Sequence, residues 1–418
     1  MGNIYTEHFK RWYKIMRKRL DIYSFIVIFY IAMTLIANDL LIPSRLCTIA
    51  IGLLVLGTAL HLIQKDKFIL KKNKYNFFCW YLLFVGISVV AMLYSPDKSI
   101  LNDSSYLLYT TSIILFCFCT LIDSYEKIIM VMKSYEWGSA ILFAILFFTN
   151  NLISDERLGS SFAGNSNTFA LFMMVAFFFT SWQFLYYEKD RLNKGIAGII
   201  MIMNIVTVLL SGARKIIVAC MIYAIILYLS KKDKMGRRHT IRNIVIICFA
   251  IMLVWQLMMK IPLLYEIVGN RMESLVNQLL GKAVVIEGSS SYLRDEYRKL
   301  AFLGWLESPI WGHGYDSFHF YNSIVTGHNA YSHNNFTELL YNVGLIGFIT
   351  YYFEYYQMVK LSIKSKVLPV KVLTIAGIVG ILVSEYGQVD YNLSIIAIFL
   401  FVLYKLNIFV RDNKINSV

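Results

Sequence analysis

The chain has 418 residues, 58% of them hydrophobic and only 16% charged, with a formal net charge of +14. A soluble globular domain is about half apolar and about a quarter charged, so this composition excludes that class. Repeated apolar runs of about 20 residues, each long enough to cross a bilayer core, identify an all-helical polytopic membrane protein instead.

Twelve helices are predicted, at roughly 22–42, 46–63, 76–94, 105–122, 127–149, 167–187, 195–211, 213–229, 243–260, 336–359, 369–386 and 391–410. The first run lacks a small-residue cleavage site and is expected to remain as a transmembrane helix. Basic residues crowd alternate connections, as in "KRWYKIMRKR", "QKDKFILKKNK", "KKDKMGRRHTIR" and "KLSIKSK". That is the positive-inside pattern, so the positive charge points to topology rather than to nucleic acid. An even number of helices puts both termini on the cytoplasmic side. The remaining connections, "SPDKSILNDSS", "NNLISDERLGSSFAGNSN", "SGAR" and "EYGQVDY", are poor in Lys and Arg and fall outside.

One connection breaks this rhythm. Residues 1–260 read as membrane helices 1–9 and 336–418 as helices 10–12, but 261–335 contain no spanning segment. Their mixed composition, with the amphipathic stretch "YLRDEYRKLAFLGWLESP", predicts a partly helical outer cap. The loop is unpaired in the other half of the chain, which argues against an inverted-repeat transporter. All six cysteines lie in predicted membrane helices, so no disulfide framework is expected. Glu136, deep in a predicted helix, requires a partner or a function.

Arginine on the outside runs against the topological trend. Arg214, in "LLSGARKII", reads either as a snorkelling interface anchor or as an anion ligand, since a guanidinium offers forked donors that suit phosphate. Arg294, in the cap, has the same two kinds of reading, with surface pairing as the bland one. Arg157 opens another outer loop. Four of the seven histidines, His313, His319, His328 and His333, fall in the cap, but their spacing matches no common metal-ligand pattern. His333 stands apart. Asn335 followed by Glu338 resembles a capping box, which places His333 just before a helix N-terminus. The field there disfavours protonation, and a neutral imidazole can accept a proton. The plainer reading is a loop residue. Gly344 and Gly347 read as a close-packing surface, with Gly377 and Gly380 as the expected match.

These residues together resemble the bacterial O-antigen ligase and O-antigen/capsule polymerase superfamily. The pattern is His333-Asn334, nine residues, then Gly344-x-x-Gly347. An Arg-bearing helix followed by Pro309 and Gly312-x-Gly314, the "SGAR" turn, and "RLGSSFAGNSN" resemble three further family segments, the last with Ser166 where Pro is usual. The resemblance implies a metal-independent glycosyltransferase of the C-type membrane fold with no cofactor. Its donor would be a glycan on undecaprenyl diphosphate, presented at the outer face of the bacterial cytoplasmic membrane. Arg214 and Arg294 would bind the diphosphate, and His333 would activate or orient the acceptor, a glycan or lipid-linked sugar. Arg157, Asn334, Glu338, Arg298, His313 and Tyr315 complete the candidate set as substrate contacts. A chain-length regulator and a flippase are the implied protein partners. Three functions stand at this point: repeat-unit polymerase first, then ligase to lipid A-core or another terminal acceptor, then transporter of the lipid-linked sugar.

Overall fold

The computed structural model describes residues 21–36, 45–64, 75–96, 104–152, 157–160, 165–230, 249, 252–253, 255–262, 265–280 and 290–412. Among them there is helix and no strand. The first eight helices are α1 Ile22–Ile36, α2 Arg45–Gln64, α3 Asn76–Met92, α4 Ser104–Leu121, α5 Tyr125–Phe148, α6 Ser166–Trp182, α7 Arg191–Leu210 and α8 Arg214–Leu229. A π turn, Gln183–Tyr187, extends α6. The cap contributes α9 Asn270–Leu279, α10 Ser290–Trp305 and α11 Phe318–Thr326. Then follow α12 Asn335–Lys364, α13 Leu368–Glu385 and α14 Ser394–Arg411.

Six of these, α2, α5, α6 with its extension, α7, α13 and α14, are long and apolar enough to cross a membrane, and α1, α3 and α4 are shorter apolar helices. Eleven of the twelve predicted segments coincide with a described helix, whereas half of 243–260 lies outside the described residues. The basic N-terminal segment lies outside them too. The result is a polytopic, all-helical membrane protein.

The bundle is organised around α14, whose residues Ile395 to Phe409 are all buried. Lipid tails are as apolar as leucine, so cohesion comes from close packing and polar ties rather than from water exclusion. Phe178 of α6 stacks on Tyr223 of α8 with ring centroids 3.9 Å apart, and the Tyr223 hydroxyl donates to the Phe178 carbonyl at 2.6 Å. Asn407 of α14 donates to Thr374 of α13 at 2.8 Å. Buried Glu136 finds its partner in Lys133, one turn earlier, at 3.1 Å, and the same ammonium binds Glu188 just past the π turn. Gly377 and Gly380 do not face Gly344 and Gly347. Side chains placed there would meet Phe399 and Phe178, so these glycines make room for rings of α14 and α6.

The largest departure from the expected fold is in α12, where the sequence predicts a single helix over 336–359. At Gly344 the backbone takes φ 63° and ψ −168°, a conformation essentially restricted to glycine. The helix folds back there. Asn335 donates to the Tyr352 hydroxyl at 3.1 Å although 17 residues separate them; a straight helix would hold those residues about 25 Å apart. Phe336 stacks on Tyr352 as well, at 5.3 Å. Residues 335–343 are therefore a short returning arm, and 345–364 form the long one.

A break of this kind strands the amides of Leu345 and Ile346 and the carbonyls of Tyr341 and Asn342, which would pair with each other in a continuous helix. The turn after α10 takes all four. Leu345 donates to Pro309 at 2.9 Å and Ile346 to Ile310 at 3.3 Å, while His313 donates to Tyr341 at 2.8 Å and Gly314 to Asn342 at 3.0 Å. Gly312, at φ 72°, lies so close that a Cβ on it would come within 2.6 Å of the Gly344 amide. The Pro309…Gly312-x-Gly314 segment and Gly344 are thus two halves of one clasp. Gly344→Ala should cost about 1–3 kcal/mol from backbone conformation alone. The expected readout is a lower thermal midpoint of the detergent-solubilised protein, with Gly86→Ala, whose site is open, unchanged; equal midpoints for the two variants would contradict the clasp.

Candidate functional site

Three backbone segments meet at the cap-side end of the bundle. The first is the turn between α7 and α8. Gly212, at φ 61°, reverses the chain so that Arg214 opens α8 and Lys215 follows it in the first turn. Arg157 braces this turn from behind: its Nε donates to the Ser211 carbonyl at 2.8 Å and a terminal nitrogen donates to Asn167 at 3.0 Å. The second is α10, on which Arg294 and Arg298 stand one turn apart and so share a face. Arg298 is ion-paired with Asp295. The third is the turn after α13, carrying Tyr386, Gly387 and Gln388.

These segments enclose a cavity of about 280 Å³ whose lining includes Arg214, Lys215, Arg294, Arg298, Tyr386 and Gln388. Its one lining carboxylate, Asp295, is already committed to Arg298. The Tyr386 ring collects two of the cations: the Arg298 guanidinium carbon lies 4.9 Å from its centroid and the Lys215 ammonium 5.3 Å. Lys215 also donates to the Tyr386 carbonyl at 3.3 Å. Residue 387 is glycine because a Cβ there would overlap the Lys215 side chain.

His333 borders this group. It sits at φ 56°, an uncommon conformation for a non-glycine residue. Its ring packs against Tyr331, with centroids 4.2 Å apart, and lies nearly parallel to Tyr297 at 6.4 Å. Burial first, then the charges of Arg294, Lys215 and Arg298, push its pKa down to about 3. The imidazole is therefore uncharged at neutral pH. Neighbouring Asn334 fastens this corner to the cavity rim by donating to the Tyr386 carbonyl at 3.2 Å.

The remaining candidates fall elsewhere. The helix cap is Asn334, not Asn335: its side chain accepts from the amides of Phe336 and Thr337 at 2.9 and 3.0 Å. Asn335 instead accepts from the amides of Asp390 and Tyr391 at 3.1 and 3.2 Å. Glu338 does not close a capping box on Asn335. It is buried and accepts from the Ser332 amide at 2.7 Å, which holds the loop before His333 in its turn. His313 contacts the Gly304 carbonyl at 2.7 Å and stacks on Tyr341 at 4.6 Å, inside the cap. Tyr315 is fully buried against Tyr391 and presents no face to the cavity. His328 packs near Tyr297, the ring that also faces His333, and His319 lies near Asp316. Among the described residues no group of three or more His, Cys, Asp or Glu is arranged to hold a metal.

Sequence reasoning thus selected Arg214, Arg294 and Arg298, which share the cavity, and His333 at its edge. It missed Lys215, Tyr386 and Gln388. Lys215 had a signal: it is a second cation in a connection otherwise poor in them. Tyr386 and Gln388 had none.

The fold and site define a class: a polytopic helical membrane protein with a cation-lined cavity beneath a partly helical cap. Residues 196–352 match the family model for O-antigen ligase. That segment holds Arg214, Arg294 and His333, so the part of the chain that carries them is similar to O-antigen ligases. No curated protein matches the chain.

The charge state of His333 is directly measurable. In protein labelled with 15N-histidine, its ring should stay neutral down to about pH 5, well below the ordinary histidine midpoint. A midpoint near the ordinary value would mean that the surrounding cations do not act on it.

Proposed function

We propose that this protein polymerises polysaccharide repeat units, using a glycan on undecaprenyl diphosphate as donor and a second lipid-linked unit as acceptor. The reading rests on one observation above all: four cationic side chains line a cavity beside an uncharged imidazole. The donor's diphosphate carries two negative charges and gains a third as it leaves, and fixed guanidinium donors can stabilise that charge without a metal ion. In the transfer, the acceptor hydroxyl attacks the anomeric carbon. The bond from that carbon to the diphosphate oxygen breaks, and the hydroxyl proton passes to the imidazole of His333. Arg214 and Arg294 hold the departing diphosphate.

An imidazole with so low a pKa is a poor base by itself, since general bases work best near the operating pH. Burial is the larger cause of that low value, but the cations add to it, and a bound diphosphate would neutralise their share. Donor binding would then raise the basicity of His333 when a base is needed. The site would release a proton acceptor only when charged with substrate, which guards against idle hydrolysis. Added pyrophosphate should accordingly raise the His333 midpoint.

This function carries a topology with it: twelve spans, both termini in the cytoplasm, and the cavity on the extracytoplasmic face of the bacterial cytoplasmic membrane. A chain-length regulator and a flippase would work alongside. The second reading, ligation of finished polymer to a terminal acceptor such as lipid A-core, is favoured by the description of the matching family model. A deletion strain separates the two. Loss of a polymerase leaves single repeats attached; loss of a ligase leaves polymer unattached.

Arg214→Ala, Arg294→Ala and His333→Ala should each reduce transfer on the order of 10²–10³-fold or more in purified protein, with insertion and accumulation unchanged. Near-normal rates in all three would remove the proposed site. Activity should survive a chelator; inhibition reversed by added metal would point to a metal-assisted reaction instead.

A further inference from the structure

Helix α10 has two unlike ends. Its first half carries Arg294 and Arg298 toward the cavity. Its last turn and the segment after it expose large apolar side chains: Leu303 is 60% exposed, Leu306 54%, Ile310 54% and Trp311 57%. An apolar surface of this kind on a cap surrounded by water would be costly, at about 25 cal/mol for each Å². It is not an isolated patch. The Trp311 carbonyl accepts from the Tyr94 hydroxyl at 2.7 Å, and Gly314 lies against Ser95, so the turn is level with the end of α3. The clasp joins Pro309 and Ile310 to Leu345 and Ile346 at the start of the long arm of α12. Along those two helices Val90, Leu93, Leu345, Ile349 and Phe353 are exposed as well. The apolar surface of the cap therefore adjoins that of the membrane bundle.

The composition of the seam identifies what covers it. The seam carries Trp305, Trp311 and Tyr94, the last bonded to the Trp311 carbonyl, and such aromatic residues favour the boundary between headgroups and acyl chains. The only charge within 302–311 is Glu307, which is exposed. A protein partner would leave no reason for this alignment with the end of a membrane helix. We propose that the last turn of α10 and residues 306–311 are seated in the bilayer interface, with Leu303, Leu306, Ile310 and Trp311 among the acyl chains. The cap is then a wedge anchored in lipid rather than a lid standing clear of it. One consequence is geometric: the helix that presents Arg294 and Arg298 is held at headgroup level, where the phosphates of any membrane lipid lie.

Nitroxide labels at Leu303→Cys, Leu306→Cys, Ile310→Cys and Trp311→Cys, one at a time in a variant without the native cysteines, test this in nanodiscs of phosphatidylethanolamine and phosphatidylglycerol. The ratio of oxygen to nickel-chelate accessibility should be at least about threefold higher at these positions than at Lys299→Cys and His328→Cys on the water side. Ratios equal to those controls would put the turn in water. Exclusion of both reagents would mean that a second copy or another protein covers it. Either result overturns the proposal. As a check that needs no cysteine replacement, Trp311→Phe should lose part of the tryptophan quenching caused by brominated lipids; unchanged quenching would count against the wedge.

Discussion

A helix broken inside a membrane protein frees amides and carbonyls that hydrocarbon cannot satisfy, at a cost of several kcal/mol each. At Gly344 this problem is solved by exchange. The four groups released by α12 are taken up, in register, by the turn that follows α10. Everything distinctive about the site follows from this. The returning arm 335–343 carries its own N-terminus, and His333 with it, back along the long arm to the level of Tyr352. The same four bonds fix the end of α10, and hence the direction from which Arg294 and Arg298 approach. A continuous helix would carry His333 away from the bundle by the whole length of the arm.

The cavity is electrostatically unbalanced by construction. Arg214 and Lys215 come from one body, the α8 start packed against α13, and Arg294 and Arg298 from another, the cap helix. Four like charges at close range repel, and burial strengthens the repulsion. Tyr386 absorbs part of it by offering its ring to two of them, and Asp295 another part. The rest adds to burial in lowering the basicity of His333. A site kept in this condition suits an anion with more than one charge, because such a ligand removes the repulsion between both bodies at once.

Some of this was legible in the residues alone. The apolar runs gave the helices, since a spanning segment needs about 20 apolar residues and little else resembles that. Arg214 and Arg294 stood out because the predicted topology puts them where basic residues are scarce. His333 stood out from its position before a helix. The fold-back was invisible for a physical reason: Phe336, Leu339, Leu340, Tyr341 and Val343 keep the segment before Gly344 apolar enough that hydropathy runs through the break. It depends on one glycine dihedral, and Gly344 looked equally suited to helix packing. The one-residue shift of the cap, from Asn335 to Asn334, has a similar origin. Both residues are asparagine, and only the tertiary bonds to Asp390 and Tyr391 decide which is drawn away. Tyr386 was hidden because its role exists only in the presence of the cations that gather on its ring.

The dependence of chemistry on the clasp explains why glycines recur at 312, 314, 344 and 387, although they serve different ends. Gly312 and Gly344 each need a positive φ and each occupies the space a Cβ of the other would fill. Gly314 admits Ser95, which sets the turn at the end of α3. Gly387 needs no unusual dihedral; it yields space to the Lys215 chain as that chain crosses to Tyr386. Three of the four therefore position the cap against the bundle, and the fourth positions a cation within the cavity that this contact creates. The spacing of His333 from Gly344 is then a length: it is the length of arm that returns the imidazole from the clasp to the cations.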